Sequence, residues 1–176
     1  VQSRAAMLNF SDSNVLNPDR GNITISNKLG ARYLLLHSLA HILMKQLALQ
    51  CGYSSASLRE RIYVGDGDKD MAGIMIYTST SDSDGTLGGL QRQGHTTHFE
   101  ASLMEAVRAN EWCSSDPLCI KGLAAATESA NLASCHSCLL APETSCEDFN
   151  RYLDRAMLVG TPEDRSIGFY STVDVD

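Results

Sequence analysis

Five of the six cysteines in this 176-residue chain fall between positions 113 and 146, and four of them form two pairs, Cys113 with Cys119 and Cys135 with Cys138, separated by fifteen residues. Any fold open to the chain must account for that crowding of thiols. The spacing C-x5-C-x15-C-x2-C reads as a metal site, because thiolates presented two by two on tight turns close a tetrahedron around Zn2+. The second pair is an ordinary C-x-x-C. In the first, Asp116-Pro117 supplies a turn that returns Cys119 towards Cys113.

A chain of this length buries a sizeable core without cross-links, so the cysteines are not needed to replace one. With 43% hydrophobic and 20% charged residues the composition is that of a globular protein, neither disordered nor membrane-embedded. No apolar run reaches a membrane-spanning length and no basic-then-apolar leader opens the chain. The expected location is therefore cytoplasmic, where thiols stay reduced and favour metal over disulfides. Three alternatives stay open at this level. Six cysteines permit three disulfides; the C-x-x-C permits thiol redox chemistry; and an iron–sulfur cluster uses the same four thiolates. A formal charge of −7 argues against autonomous electrostatic binding of nucleic acid or an anionic membrane. A chain that opens at Val1 without methionine is expected to belong to a longer protein.

The fold class expected is α/β, a small sheet packed against two or three helices with a zinc-tied loop lobe. Residues 1–30 read as a polar leading segment with one strand candidate at Asn22–Ser26, and 31–176 as the domain proper. Ala31 to Gln50 is apolar on most faces and predicts a central buried helix that Gly52 stops. Arg61–Val64 and Gly73–Thr78 are rich in β-formers and flank a turn-forming segment, which predicts neighbouring strands. Ser79–Gly94 reads as a surface loop and Phe99–Asn110 as a second helix. Phe149, Tyr152, Leu153, Ala156 and Met157 recur at helical spacing and predict a third helix over Asp148–Val159. Ile167–Val173 reads as an edge strand.

Cys113, Cys119, Cys135 and Cys138 are the expected metal ligands, with Cys146 in reserve and His136 behind it; Cys51 reads as a small core residue. His37 and His41 lie four apart on the first helix, a spacing that can present two imidazoles to one metal. His-Ser-Leu-Ala-His lacks the glutamate of a metalloprotease, so packing or hydrogen bonding is the plainer use. Asp66, Asp68 and Asp70 start like a calcium loop but lack its closing glutamate, Tyr77 standing there. The glycines at 85, 88 and 89 read as a loop, not a phosphate cradle. Arg151 and Arg155, one helical turn apart, are placed either to reach phosphates or to pair with Glu147 and Asp154.

Taken together, Leu36-His37-Ser38-Leu39-Ala40-His41, Arg59-Glu60-Arg61-Ile62-Tyr63, Gly73-Ile74-Met75-Ile76-Tyr77, Gly88-Gly89-Leu90, the cysteines, and Cys146-x3-Asn150-x2-Leu153-Asp154-Arg155 resemble the MrfA-like zinc-binding domain that accompanies superfamily-two helicases. Trp112-Cys113-Ser114-Ser115-Asp116-Pro117-Leu118-Cys119 and Ala141-Pro142-Glu143-Thr144-Ser145-Cys146 are most similar to the form in the carboxy-terminal part of DrmB proteins of the DISARM anti-phage system. The resemblance runs from about Tyr33 to Arg155. It implies a zinc-bearing accessory domain without catalysis of its own, working with a DrmA-like helicase and, through that complex, on single-stranded or phage DNA. The alternative from another class is a metal-dependent hydrolase or nuclease using His37 and His41 with a carboxylate such as Asp84. A third is a thiol redox switch.

Overall fold

The computed structural model describes residues 27–65, 70–79, 89–122 and 131–171. Its axis is helix α1 (Asn27–Cys51). After Gly30 this segment contains neither proline nor glycine, and Leu34, Ala40, Ile42, Leu43, Met44 and Leu47 are all buried. An apolar helix of this kind must be covered on several sides, and here a β-hairpin and three further helices cover it. The helix ends where Gly52 adopts φ +73° and the Tyr53 N–H donates to the Ala48 carbonyl, a closure that a residue with a Cβ resists.

The hairpin pairs β1 (Leu58–Gly65) antiparallel with β2 (Met71–Thr78), in a register that sets Leu58 opposite Thr78 and Gly65 opposite Met71. Alternation places Leu58 and Glu60 inside and Arg59, Arg61 and Tyr63 outside. Helices α2 (Gly89–Gln93) and α3 (Thr96–Ala109) follow. Ala106 and Val107 of α3 join Ile42, Leu43, Leu139, Leu153 and Leu158 in the main core, and Asn110 then turns the chain into the first cysteine pair. A short helix, α4 (Ala156–Val159), lies fully buried near the end. Among the described residues no helix is long and apolar enough to cross a membrane.

The expected α/β class, the central helix and the paired strands are present, each element longer than its sequence pattern and β1 twice as long. Three expectations are corrected. Gly89–Gln93 is helical where a loop is expected. The described part of the 167–173 segment is no strand: a 3₁₀ turn at Arg165–Ile167 leads into Phe169 and Tyr170, whose N–H groups donate to the Met157 and Leu158 carbonyls. Most instructive, the helix expected over Asp148–Val159 is confined to its last four residues. The preceding backbone groups are taken by distant partners. The Asp154 N–H donates to Ser38 Oγ, the Arg155 N–H to the Ala133 carbonyl, and the N–H groups of Asp148 and Asn150 to the Cys146 sulfur. Phe149, Asn150 and Tyr152 all sit at φ between 52° and 61°, a left-handed conformation that no helix of this sequence would contain. The strand candidate at 22–26, Asp66 and Asp68, Asp84 and the glycines at 85 and 88 lie outside the described residues.

Asn150 anchors this irregular turn, accepting from the Ala141 N–H and donating to the Ala141 carbonyl through its side-chain amide. Asn150→Ala removes both bonds and leaves a left-handed alanine, so it should cost about 2–4 kcal/mol in denaturant unfolding. If the segment were helical as its pattern reads, the same change would be neutral or stabilising.

Candidate metal centres

The turn after α3 and the turn at Cys135–Leu139 bring four sulfurs together. Cys113 Sγ lies 3.5 Å from Cys135 Sγ, Cys119 Sγ 3.5 Å from Cys138 Sγ, and Cys135 Sγ 3.7 Å from Cys138 Sγ. A tetrahedron with Zn–S bonds of about 2.3 Å has edges of about 3.8 Å, so the donor set fits one zinc ion with a shift of a few tenths of an ångström. All six cysteines are free thiols. The Cys135 N–H donates to Cys138 Sγ and the Ser115 N–H to Cys113 Sγ, the orientation that steadies thiolates. Contact with the Cys119 thiol, with further help from the Cys135 N–H and Arg155, brings Cys138 down to about 5, while Cys119 is pushed up by the same contact and by burial. A metal ion would displace the protons that remain.

Beside the sulfurs stands Arg155, 0% exposed, with Nη2 donating to Asp116 Oδ1 at 2.6 Å and Nη1 to the Asn110 carbonyl at 3.0 Å. Burial opposes its charge, but Asp116 and the sulfurs of Cys119 and Cys138 keep it protonated. Asp116 also accepts from the N–H groups of Cys113 and Ile120. It therefore shapes the Cys113–Cys119 loop while joining it to the counter-charge of a tetrathiolate.

A second cluster lies behind α1. His37, His41, Glu60 and Cys146 converge, one ligand atom from each lying within 4.8 Å of all the others. His37 Nε2 is 2.9 Å from Glu60 Oε1, 3.1 Å from His41 Nε2 and 3.2 Å from Cys146 Sγ. His41 Nε2 is 3.3 Å from the same carboxylate oxygen. None of the four reaches 8% exposure. Burial alone would lower His41, yet Cys146 and Glu60 outweigh it and raise it to about 10. Burial would likewise raise Glu60 and Cys146, but the two imidazoles bring them to about 2 and about 7.

These centres can be set against known proteins. A family model described as the MrfA Zn-binding domain matches residues 39–139. The chain belongs to that family. Over 138 residues it is 41% identical to the DISARM protein DrmB of Bacillus paralicheniformis, a match covering 78% of this chain and 24% of that protein. The chain thus spans about a quarter of the length of this curated relative. Zinc is accordingly the metal of the domain, and the matched residues include all four cysteines of the tetrad.

The singled-out residues that the structure describes can now be placed. Cys113, Cys119, Cys135 and Cys138 are brought together as one group; Cys146, their reserve, belongs to the histidines instead. His136 is exposed. Cys51 is buried at the end of α1. Arg155 faces inward and pairs with Asp116, whereas Arg151 is exposed and stacks over the Tyr152 ring. Glu147 pairs with Arg61. Sequence reasoning missed Glu60, which looks like one charge among Arg59 and Arg61; its inward position on an alternating strand was the available signal.

Arg155→Met should lower stability by about 3 kcal/mol in urea unfolding, because it strands the Asp116 carboxylate and removes a cation from beside buried thiolates. A loss below about 1 kcal/mol would show the pair to be dispensable.

Proposed function

We propose that the chain is a non-catalytic, zinc-bearing accessory domain of a DrmB-like anti-phage defence protein. Cys113, Cys119, Cys135 and Cys138 are its zinc ligands, and its role is to present a rigid surface to a helicase partner. The observation that carries this reading is the saturated tetrad. Four thiolates leave no open position for water, whereas a catalytic zinc keeps an exchangeable one. The hydrolase alternative is disfavoured by the same token, since His37 and His41 are 0% exposed and offer a substrate no approach. Buried thiols are equally poor candidates for a redox switch.

A metal-tied loop supports exposed apolar residues that a small lobe could not otherwise hold still. Trp112 and Leu118 each immediately precede a cysteine of the first pair and stand at 70% and 58% exposure, and tryptophan is among the residue types most enriched at binding hot spots. We assign partner contact to this edge. The outer face of the hairpin sets Arg59 opposite Tyr77 and Tyr63 beside Arg61. It pairs cations with aromatic rings, the combination that single-stranded nucleic acid uses. We assign any DNA contact there, weak and salt-sensitive given the net charge of −7.

Two variants separate scaffold from surface. Cys138→Ser should lose zinc, stability and capture of the DrmA-like helicase together. Trp112→Ala should keep zinc and melting behaviour while weakening capture at least about tenfold, as loss of a hot-spot side chain does. Normal capture by a zinc-depleted Cys138→Ser protein would refute the reading.

A further inference from the structure

We propose that His37, His41, Glu60 and Cys146 form a second, structural zinc site, distinct from the cysteine tetrad. His37 and Cys146 lie outside the residues that the family model matches, 39–139, and the site's chemistry stands on its own geometry.

The first argument is a proton count. His41 Nδ1 lies 2.7 Å from the Leu139 carbonyl and His37 Nδ1 3.3 Å from the Tyr152 carbonyl. A carbonyl only accepts, so both Nδ1 atoms carry hydrogen, and a neutral ring then directs the lone pair of Nε2 into the cluster. His37 Nε2 faces a carboxylate oxygen, a sulfur and another Nε2, all within 3.2 Å. A ring nitrogen holds one proton at most and cannot serve three neighbours with it, and protonating both rings would set two N–H groups against each other. One cation at the centre satisfies all four atoms at once.

The distances fit that cation. Bonds of about 2.0–2.1 Å to nitrogen and oxygen and about 2.3 Å to sulfur give tetrahedral edges of about 3.3 to 3.6 Å, within a few tenths of the four separations of 2.9 to 3.3 Å given above, and the other two pairs lie within 4.8 Å. Charge fits too: one carboxylate, one thiolate and a divalent ion sum to zero in a region closed to water, where an unbalanced charge would be costly. Mixed imidazole, thiolate and carboxylate donors in a tetrahedron select Zn2+ over the hard ions Mg2+ and Ca2+.

The surroundings are arranged as a metal site's are. Both imidazoles are fixed through their outer nitrogens to backbone carbonyls, the usual device for setting ring orientation at a metal. Cys146 Sγ accepts two backbone N–H groups, from Asp148 at 3.4 Å and Asn150 at 3.2 Å. The left-handed residues Phe149, Asn150 and Tyr152 bend the chain so that it supplies both the N–H of Asn150 to the sulfur and the carbonyl of Tyr152 to His37. Strain of this sort persists where the surroundings over-determine it. Finally, Glu60 Oε2 is buried with no hydrogen-bond partner among the described residues. A carboxylate left half-satisfied in this way is costly unless a cation takes up its charge.

X-ray absorption at the zinc edge, with zinc stoichiometry, tests this on the unmodified 176-residue chain purified without chelators. Two zinc ions per chain are expected, with an average shell of mixed sulfur and nitrogen or oxygen ligands, since five sulfurs and three lighter donors are shared between two ions. His41→Ala and Glu60→Gln should each reduce the stoichiometry from two to one and leave an all-sulfur shell. A single zinc with four sulfurs in the unmodified chain, after exposure to excess zinc, would overturn the proposal. So would a second zinc that His41→Ala and Glu60→Gln both retain. A single zinc with one sulfur would instead remove the tetrad reading and leave this site standing, so the two can fail separately.

Discussion

The structure depends on a polar stripe along an otherwise apolar helix. His37, His41 and Lys45 recur every fourth residue of α1 and so face one way. Each reaches backbone carbonyls in the carboxy-terminal half: His37 at Tyr152, His41 at Leu139, Lys45 at Ser137 and Cys138. His37 and His41 are fully buried, and burying them without partners would cost several kcal/mol apiece, while Lys45 reaches its carbonyls from the exposed end of the stripe. The stripe therefore dictates where the cysteine-bearing turns must lie, and Ser38, next to His37, adds a bond to the Asp154 N–H. Leu139 follows Cys138 directly, so one turn of chain serves the tetrad through its sulfur and the histidine cluster through its carbonyl.

That economy explains how a domain with one two-stranded sheet among its described residues holds its irregular half in place. From Cys113 onward the described chain has only short helical turns, and turns alone rarely define a surface. With metal held as proposed, metal–ligand bonds would substitute for ladders of backbone hydrogen bonds, and structural zinc contributes on the order of 10 kcal/mol in small peptides. Arg155 and Asp116 link this lobe to the end of α3 through the Asn110 carbonyl. The result is an edge on which Trp112 and Leu118 stand exposed, the surface proposed above for partner contact.

Much of this was legible in the residues. The apolar run of α1, the hairpin and the grouping of four cysteines follow from periodicity, β-propensity and spacing, all local signals. What failed was also physical. Asp148–Val159 has a helical pattern, but its apolar residues fill a core from an irregular turn whose N–H groups are claimed by Cys146 and Ser38, and such long-range competition leaves no periodic trace. Cys146 was drawn to its neighbours in sequence, although its partners lie on α1 and β1, over a hundred residues back in the case of His37. Arg155 looked like half of a solvated helical pair because nothing local reveals that its partner is Asp116.

Hydrogen exchange on the metal-loaded and metal-stripped chain tests the central claim most directly, that bound metal rather than backbone pairing holds the carboxy-terminal half rigid. The Cys135 and Asn150 amides, which donate to Cys138 and Cys146 sulfur, should exchange slowly when loaded. On stripping they should accelerate at least about tenfold, with the middle of α1 less affected. Equal protection of those amides in both states would contradict the account.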